Sequence, residues 1–147
     1  MKILVQRCKY AKVSVDNKVV GKIDNGIMAL VSFTYGDNEK IIDYMIDKLV
    51  NLRIFDDENG VMNKSVLDTK GSILSISQFT LYADTQKGRR PSYINALKGE
   101  ESVKLYDLFN QKLSKIIHTE TGIFGAEMEV ELLNDGPVTI MLEKKDE

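Results

Sequence analysis

One short segment places hydrogen-bonding side chains inside an otherwise apolar run. Residues 75–81 read Ser-Ile-Ser-Gln-Phe-Thr-Leu, within a stretch over 72–82 whose composition is typical of a β-strand. Polar groups that a strand buries must be paired or must serve a function. In an unbroken strand, Ser77 and Phe79 would share one face, while Gln78 and Thr80 would share the other. The hydroxyls either bond to neighbouring backbone or line a site, and spacing alone favours the first interpretation.

A second segment, residues 133–139, reads Leu-Asn-Asp-Gly-Pro-Val-Thr between two segments whose patterns predict strands. Its Asn-Asp-Gly composition favours a tight turn, after which a proline can begin a strand at a sheet edge. The alternative is a cis bond between Gly136 and Pro137, a geometry adopted by about 5–6% of X–Pro bonds in folded proteins. Such a bond would direct both carbonyl oxygens of the dipeptide to one side as a rigid probe. Because cis bonds are this uncommon, spacing alone favours the tight turn.

Cysteine and histidine are too scarce for several kinds of catalytic site. Cys8 and His118 are each the only residue of their type. A thiolate zinc site and an intrachain disulfide are therefore excluded. A catalytic triad could use only His118, which follows a helix-like stretch and is more simply interpreted as a residue near the last carbonyls of that helix. Cys8 alternates with apolar neighbours, so we expect a buried, inert thiol.

The charge distribution suggests one surface for an anionic partner. The net charge is −2, which argues against broad nonspecific binding of nucleic acid. Residues 85–117, however, carry seven basic groups against three acidic ones, whereas residues 118–147 carry two against eight. Lys87, Arg89 and Arg90 head the basic segment, which either meets phosphates or forms an ordinary solvated loop.

Length and hydropathy limit the organisation of the chain. At 147 residues we expect one domain, residues 1–147, with a core large enough to be stable without disulfides or structural metals. Apolar runs fall short of the roughly 18 residues that cross a bilayer, and charges follow closely after Met1. We therefore expect a cytoplasmic protein with no membrane partner.

The periodicities predict strands, helix, strands, helix and strands in that order. Strands or hairpins are predicted over 1–8, 11–23, 27–33, 72–82 and 138–142, and amphipathic helices over 41–50, capped by Asp37, and 102–117. In the run before 133, Met128, Val130 and Leu132 are expected to face inward. The pattern predicts an α/β fold: a single layered domain with mixed β-sheets and about two principal helices packed on one side. A Rossmann or P-loop fold has no support, because no Gly-rich loop joins a strand to a helix with the required spacing.

Five ordered segments carry a resemblance to the D-aminoacyl-tRNA deacylases. Residues 77–81, Ser-Gln-Phe-Thr-Leu, and 134–139, Asn-Asp-Gly-Pro-Val-Thr, look like the two signature motifs of that family. The opening Met-Lys-Ile-Leu-Val-Gln-Arg-Cys of residues 1–8 agrees, as do Lys-Gly-Arg-Arg-Pro-Ser-Tyr at 87–93 and Thr-Gly-Ile-Phe-Gly-Ala at 121–126. The resemblance spans essentially the whole chain and shows no departure within the two signatures.

The resemblance implies a homodimer that hydrolyses the ester joining a D-amino acid to the terminal adenosine of tRNA, with no metal and no cofactor. The active sites would lie at the interface, where one subunit inserts a cis Gly136–Pro137 dipeptide into the pocket of the other. Arg7 would hold the dipeptide in position. The substrate-binding residues implied are Ser77, Gly136, Pro137, Val138, Thr139 and Arg7.

The implied selectivity is rejection of one enantiomer. Main-chain carbonyls close to the α-carbon leave room for hydrogen, so an L side chain would clash and a D side chain would point outward. Glycine should pass as well, which makes achiral glycyl-tRNA a second expected substrate. For the chemical step, Thr80 is one candidate nucleophile, but no base accompanies it. We favour attack by water assisted by the 2′-hydroxyl of the adenosine, with the oxyanion bound by backbone amides at the catalytic segment, Gln78, Phe79 and Thr80.

The same resemblance assigns contacts to the RNA. Phe124 and Met128 match positions that surround the adenine; core packing is the alternative for both, especially for Met128 in its alternating strand. Lys87, Arg89 and Arg90 would meet phosphates of the tRNA acceptor stem. Two other functions remain open: a small-molecule esterase with Thr80 as nucleophile, and a noncatalytic RNA-binding module.

Overall fold

A six-stranded sheet forms the centre of the computed structural model, which describes residues 1–146. The order in the sheet is β2-β1-β3-β6-β7, with β8 paired to β1, while β4 and β5 form a separate hairpin. The β3–β6 and β6–β7 pairs are parallel and the other pairs antiparallel, so the sheet is mixed, as the sequence predicts. The strands are β1 (Lys2–Val15), β2 (Lys18–Ile23), β3 (Gly26–Ser32), β4 (Phe55–Asp56), β5 (Met62–Lys64), β6 (Ser72–Ser77), β7 (Thr119–Thr121) and β8 (Glu129–Glu143).

The long strand β1 belongs to two parts of the sheet. Its first half pairs with β3 and its second half with β2, while β8 runs along both halves. Against β8, the register of β1 shifts between Gln6 and Cys8 and again between Cys8 and Tyr10. An irregularity of this kind changes which side chains face inward. Ile3 accordingly packs into one hydrophobic core and Val13 into another.

Helix α1 (Glu39–Asn51) follows the predicted apolar stripe. The side chain of Asn38 caps it, because its Oδ1 accepts from the Ile41 amide at 3.1 Å. The expected cap, Asp37, is therefore wrong by one residue: it instead pairs with the Met1 amine at 3.0 Å. The buried residues of the helix are Ile41, Ile42, Met45, Ile46, Leu49 and Val50.

Helix α2 spans Glu100–Ser114, three residues short of the predicted end. Its buried Tyr106, Phe109 and Leu113 join α1 and the first half of β1 in the larger core. The helices thus cover one side of the sheet, and the predicted α/β architecture is confirmed.

The other side of the sheet curls over a smaller core. This core contains Cys8, Ala11, Val13, Ile23, Met28, Leu74 and Ile76. Strand β2 closes on β7 so tightly that a Cβ added to Gly21 would lie 2.7 Å from the Thr121 carbonyl oxygen. Met128 and Leu132 pack against this core, whereas Val130 is exposed, contrary to expectation. Within residues 1–146, no helix is long and apolar enough to cross a membrane.

Candidate active site

The strand predicted over residues 72–82 ends at Ser77 and is followed by a turn. Gln78 still donates its amide to the Val31 carbonyl at 2.8 Å, but the chain then forms a single turn of 3-10 helix, Phe79–Tyr82. Strand β3 ends at Ser32, so the backbone beyond Gln78 has no neighbour with which to continue the parallel pairing. The expected sharing of one face by Ser77 and Phe79 is therefore wrong, and Phe79 is instead 46% exposed.

The 3-10 turn begins with free backbone donors. The Gln78 side chain makes no capping hydrogen bond, and within residues 1–146 neither the Phe79 nor the Thr80 amide donates to an acceptor. The first amides of a helical turn have no partner inside that turn. These adjacent N–H groups are suited to bind an oxygen that develops negative charge.

The side chains around the turn fix its position. The side-chain Nε2 of Gln78 donates to Thr80 Oγ1 at 2.5 Å, and Lys2 Nζ donates to the Leu81 carbonyl at 3.2 Å. An amide N–H cannot accept a proton, so Gln78 cannot act as a base for Thr80. The structure therefore shows an oriented Thr80 hydroxyl whose hydrogen-bonding neighbour cannot deprotonate it.

His118 lies far from the turn along β6. Its carbonyl accepts from the Ile73 amide at 3.0 Å, near the start of β6, whereas Thr80 follows the end of that strand. The imidazole is 64% exposed, with Nε2 3.2 Å from a Glu120 carboxylate oxygen. The interpretation of His118 as a helix-end residue is wrong, because α2 ends at Ser114, four residues earlier, and His118 directly precedes β7.

The second signature segment is part of a continuous strand. Residues 134–137 lie within β8, so the predicted tight turn is wrong, and the Gly136–Pro137 bond is cis. The Asn134 side chain ties the segment together: its Oδ1 accepts from the Val138 amide at 2.8 Å and its Nδ2 donates to Thr139 Oγ1 at 3.1 Å. Asn134 was not among the predicted site residues, although its place in the motif was a signal.

Arg7 is a buried connector beside this dipeptide. Its Nε donates to the Asp135 carbonyl at 2.8 Å and its Nη1 donates to the Ile54 carbonyl at 2.7 Å. The carboxylates of Asp56 and Asp135 lie 3.6 and 3.7 Å from the guanidinium. A Cβ added to Gly136 would lie 3.1 Å from Arg7 Nη2, at a backbone φ of +137°. Arg7 therefore fixes the main chain on which the dipeptide sits.

The register of the sheet separates the two signature segments within one chain. Ser77 pairs with Val31, Val31 with Ile3, and Ile3 with Leu142. The two segments are thus three strand spacings apart, about 14 Å, and Gly136 is offset a further six residues along β8, roughly 20 Å. Gly136 and Pro137 are both exposed in the single chain.

The predicted adenine contacts lie in the segment between β7 and β8. Phe124 packs against Tyr106, with ring centroids 5.8 Å apart, and is half-buried. Met128 is also half-buried and would meet a Cβ added to Gly122 at 2.6 Å from its sulfur. Both side chains pack on a core and keep an accessible part.

The predicted phosphate contacts lie on an exposed loop. Asp84 and Ser92 close its base through two main-chain hydrogen bonds of 2.8 Å each. Lys87, Arg89 and Arg90 project from it and are exposed. The loop starts two residues after the 3-10 turn ends, so the basic side chains are near the first signature segment in the chain.

No group of three or more potential metal ligands occurs among the described residues. The thiol of Cys8 is buried, and burial raises its pKa to about 11. A neutral thiol in the smaller core is unreactive, as expected from the sequence.

Comparison with known proteins covers nearly the entire chain. A family model described as D-Tyr-tRNA(Tyr) deacylase matches residues 4–143. The D-aminoacyl-tRNA deacylase of Bacillus cytotoxicus is 53% identical over 146 residues, which are 99% of this chain and 100% of that protein. The D-aminoacyl-tRNA deacylase of Brevibacillus brevis is 55% identical over 144 residues, 97% and 99% of the two chains.

Two solved structures share the fold. One, named c-Myc DNA Unwinding Element Binding Protein, superposes with a TM-score of 0.94 at 39% identity, covering 99% of this chain and 100% of that one. The other, described as a probable eukaryotic D-amino acid tRNA deacylase, gives a TM-score of 0.84 at 16% identity, covering 96% and 97%. At that identity the second likeness concerns the fold alone.

Proposed function

Because this chain belongs to the D-aminoacyl-tRNA deacylase family and is therefore a hydrolase, we propose that it releases free D-amino acid and tRNA and rejects L-aminoacyl-tRNA. The observation that carries this proposal is family identity along the whole chain, together with two intact signature segments on rigid backbone. The expectation that the chain is an enzyme of this family is confirmed. The selectivity, the assembly and the chemical step are developed below as proposals.

The proposed active site is shared between two copies of the chain. The register keeps Gly136 and Pro137 far from residues 77–80 of the same chain, and the dipeptide is exposed. A homodimer in which each copy inserts its dipeptide beside the other's Gln78 would bring the segments together. The exposed apolar side chains of β8, Leu133 and Met141, suit burial in such a contact.

A mixing experiment tests the shared site. Gly136→Val should displace the dipeptide, and Gln78→Ala should distort the pocket that receives it. Each homodimer should therefore hydrolyse D-tyrosyl-tRNA more slowly than the wild type. After subunit exchange, a mixed dimer contains one site with a native dipeptide and a native pocket, and D-tyrosyl-tRNA hydrolysis should return. If one chain forms the whole site, mixing restores nothing. Light scattering should give twice the chain mass of 16.6 kDa.

The proposed filter is the main chain of Gly136 and Pro137. Carbonyl oxygens that leave room only for hydrogen beside the substrate's α-carbon exclude an L side chain. Rigidity is essential to selection by excluded volume, and the contacts of Arg7 and Asn134 supply it. Val138 and Thr139 continue the wall of the proposed site. Glycine carries no side chain to exclude, so glycyl-tRNA is a proposed substrate.

For the chemical step, we favour water activated by the 2′-hydroxyl of the terminal adenosine. The free amides of Phe79 and Thr80 would bind the carbonyl oxygen as it gains charge. Thr80 receives a hydrogen bond from Gln78 and has no base, which counts against a threonine nucleophile. The proposed step uses neither metal nor cofactor.

The proposed tRNA contacts use the flanking segments. The accessible parts of Phe124 and Met128 would surround the adenine, and Lys87, Arg89 and Arg90 would bind acceptor-stem phosphates. A substrate made during translation places the proposed site of action in the cytoplasm.

The decisive experiment compares matched D- and L-tyrosyl-tRNA, with released tRNA as the product assayed. The proposal expects rapid hydrolysis of the D-ester and of glycyl-tRNA, and almost none of the L-ester. Equal rates for the two tyrosyl esters would contradict it. Turnover of simple D-amino acid esters without RNA would favour a small-molecule esterase, and binding without cleavage an RNA-binding module.

A further inference from the structure

Two aromatic side chains lie together at the edge of the candidate site. The rings of Phe79 and Tyr93 meet edge to face, with centroids 5.1 Å apart and planes inclined by 71°. Nearly half of Phe79 is exposed, so this contact leaves much of its ring accessible. Lys98 Nζ lies 6.0 Å from the centroid of the Tyr93 ring. The chemical step uses the backbone of Phe79 and assigns no task to these three side chains.

The pair lies between the ester site and the basic loop. Phe79 begins the turn that carries the free amides. Tyr93 directly follows Ser92, whose hydrogen bonds with Asp84 close the base of the loop that carries Arg89 and Arg90. The ring contact thus joins the turn to the base of the loop, and an RNA strand with its ester at the turn and its phosphates at the loop would run along this pair.

We propose that Phe79 and Tyr93 form a stacking surface for the base of the nucleotide that precedes the terminal adenosine, with Lys98 beside it. That nucleotide is a cytidine in mature tRNA. Any of the four bases can stack on an aromatic side chain when the RNA is single-stranded. A nearby ammonium adds attraction for the RNA. This inference rests on the proposed function, because it needs the ester at the 3-10 turn.

The test compares D-tyrosyl-tRNA with D-tyrosyl-adenosine, which carries the ester but lacks the preceding nucleotide. Tyr93→Leu keeps an apolar side chain and removes the ring. It should raise KM for the tRNA at least about fivefold and leave KM for the adenosine ester unchanged. Tyr93→Phe should behave as the wild type. Tyr44→Leu is the matched control, since Tyr44 on α1 is 47% exposed and has Lys144 Nζ 5.1 Å from its ring centroid.

A second variant guards against a folding defect in the first. Lys98 is exposed, and Lys98→Ala should raise KM for the tRNA about twofold without affecting the adenosine ester. Equal effects of Tyr93→Leu on both substrates, or unchanged KM in both variants, would overturn the stacking surface. Failure of the proposed function looks different, because the wild type would then fail to hydrolyse D-tyrosyl-tRNA or would hydrolyse L-tyrosyl-tRNA equally well.

Discussion

Arg7 in β1 donates a hydrogen bond from Nε to the main-chain carbonyl of Asp135 in β8, at 2.8 Å. The same guanidinium reaches the Ile54 carbonyl, which precedes the β4–β5 hairpin, at 2.7 Å. One buried side chain thus joins the strand of the proposed chiral filter to a separate hairpin. A filter that excludes by volume depends on such fixed contacts.

Arg7→Lys should weaken the filter. An ammonium lacks the planar fork that serves both carbonyls, so one acceptor would lose its partner. We expect the ratio of D- to L-tyrosyl-tRNA hydrolysis to fall at least about tenfold, and the free energy of unfolding to fall by about 2–3 kcal/mol. Arg53→Lys is the control, since this exposed arginine hydrogen-bonds the Asn63 carbonyl and side chain but does not touch the dipeptide; it should leave the D-to-L ratio unchanged and cost less stability than Arg7→Lys. Unchanged selectivity with reduced stability would limit Arg7 to a structural role.

Gly136→Ala should also impair selection, for a steric reason. The new Cβ would lie 2.9 Å from Val138 Cγ2 and 3.1 Å from Arg7 Nη2, at a φ of +137° that side chains rarely adopt. The dipeptide must shift, so we expect the two tyrosyl esters to be discriminated less well. Gly60→Ala provides the control: its φ is also positive, but nothing lies within 4 Å of the added atom. Native selectivity in Gly136→Ala would count heavily against the filter.

The mechanism can be tested at Thr80. With water as the nucleophile, Thr80→Ala should keep kcat within about tenfold of the wild type. For both Thr80→Ala and the wild type, kcat should fall severely on tRNA that ends in 2′-deoxyadenosine and carries the D-amino acid on its 3′-oxygen, because the assisting hydroxyl is absent. A loss of roughly a thousandfold or more in kcat for Thr80→Ala, with KM intact, would instead identify a threonine nucleophile.

Salt dependence tests the basic loop. If Arg89 and Arg90 each contact a phosphate, replacing both by alanine should flatten the plot of log kcat/KM against log salt by a slope of about 1 to 2. Replacing Lys18 and Lys22, which are exposed on β2, removes the same charge elsewhere. That control should leave the slope nearly unchanged. Similar slopes for both double variants would show that the loop acts only through the net charge of the protein and does not contact phosphates.

Local periodicity predicted most of the fold, and the errors arise where pairing between distant strands overrides it. The sequence after Ser77 alternates like a strand, but β3 ends at Ser32 and leaves it without a partner. Residues 134–137 have turn composition, yet β1 pairs with β8 on either side of the unpaired residues 135–138, at Asn134 and at Thr139, so the segment stays within β8 as a break in the register. The burial of Arg7 has no local signal either, since it depends on the hairpin at Ile54.

The candidate site shows the same division. Its residue types are visible in the sequence, and the resemblance supplied their grouping, because nothing in spacing connects Gln78 to Gly136. The free amides of Phe79 and Thr80 could not be predicted while that segment was interpreted as a strand. The contact between Phe79 and Tyr93 likewise exists only because the chain turns after Gln78.

Alkaline pH should destabilise the protein through Cys8. Burial raises the pKa of this thiol from 9.0 to about 11, so between those values the folded chain binds more protons than the unfolded chain. The free energy of unfolding should therefore fall by about 2–3 kcal/mol as pH rises through that window. Urea denaturation of the wild type and Cys8→Ala isolates the effect, because burial also raises the pKa of Tyr82 and Tyr106 in both proteins. Parallel pH profiles would show that Cys8 ionises as readily in the fold as in the unfolded chain.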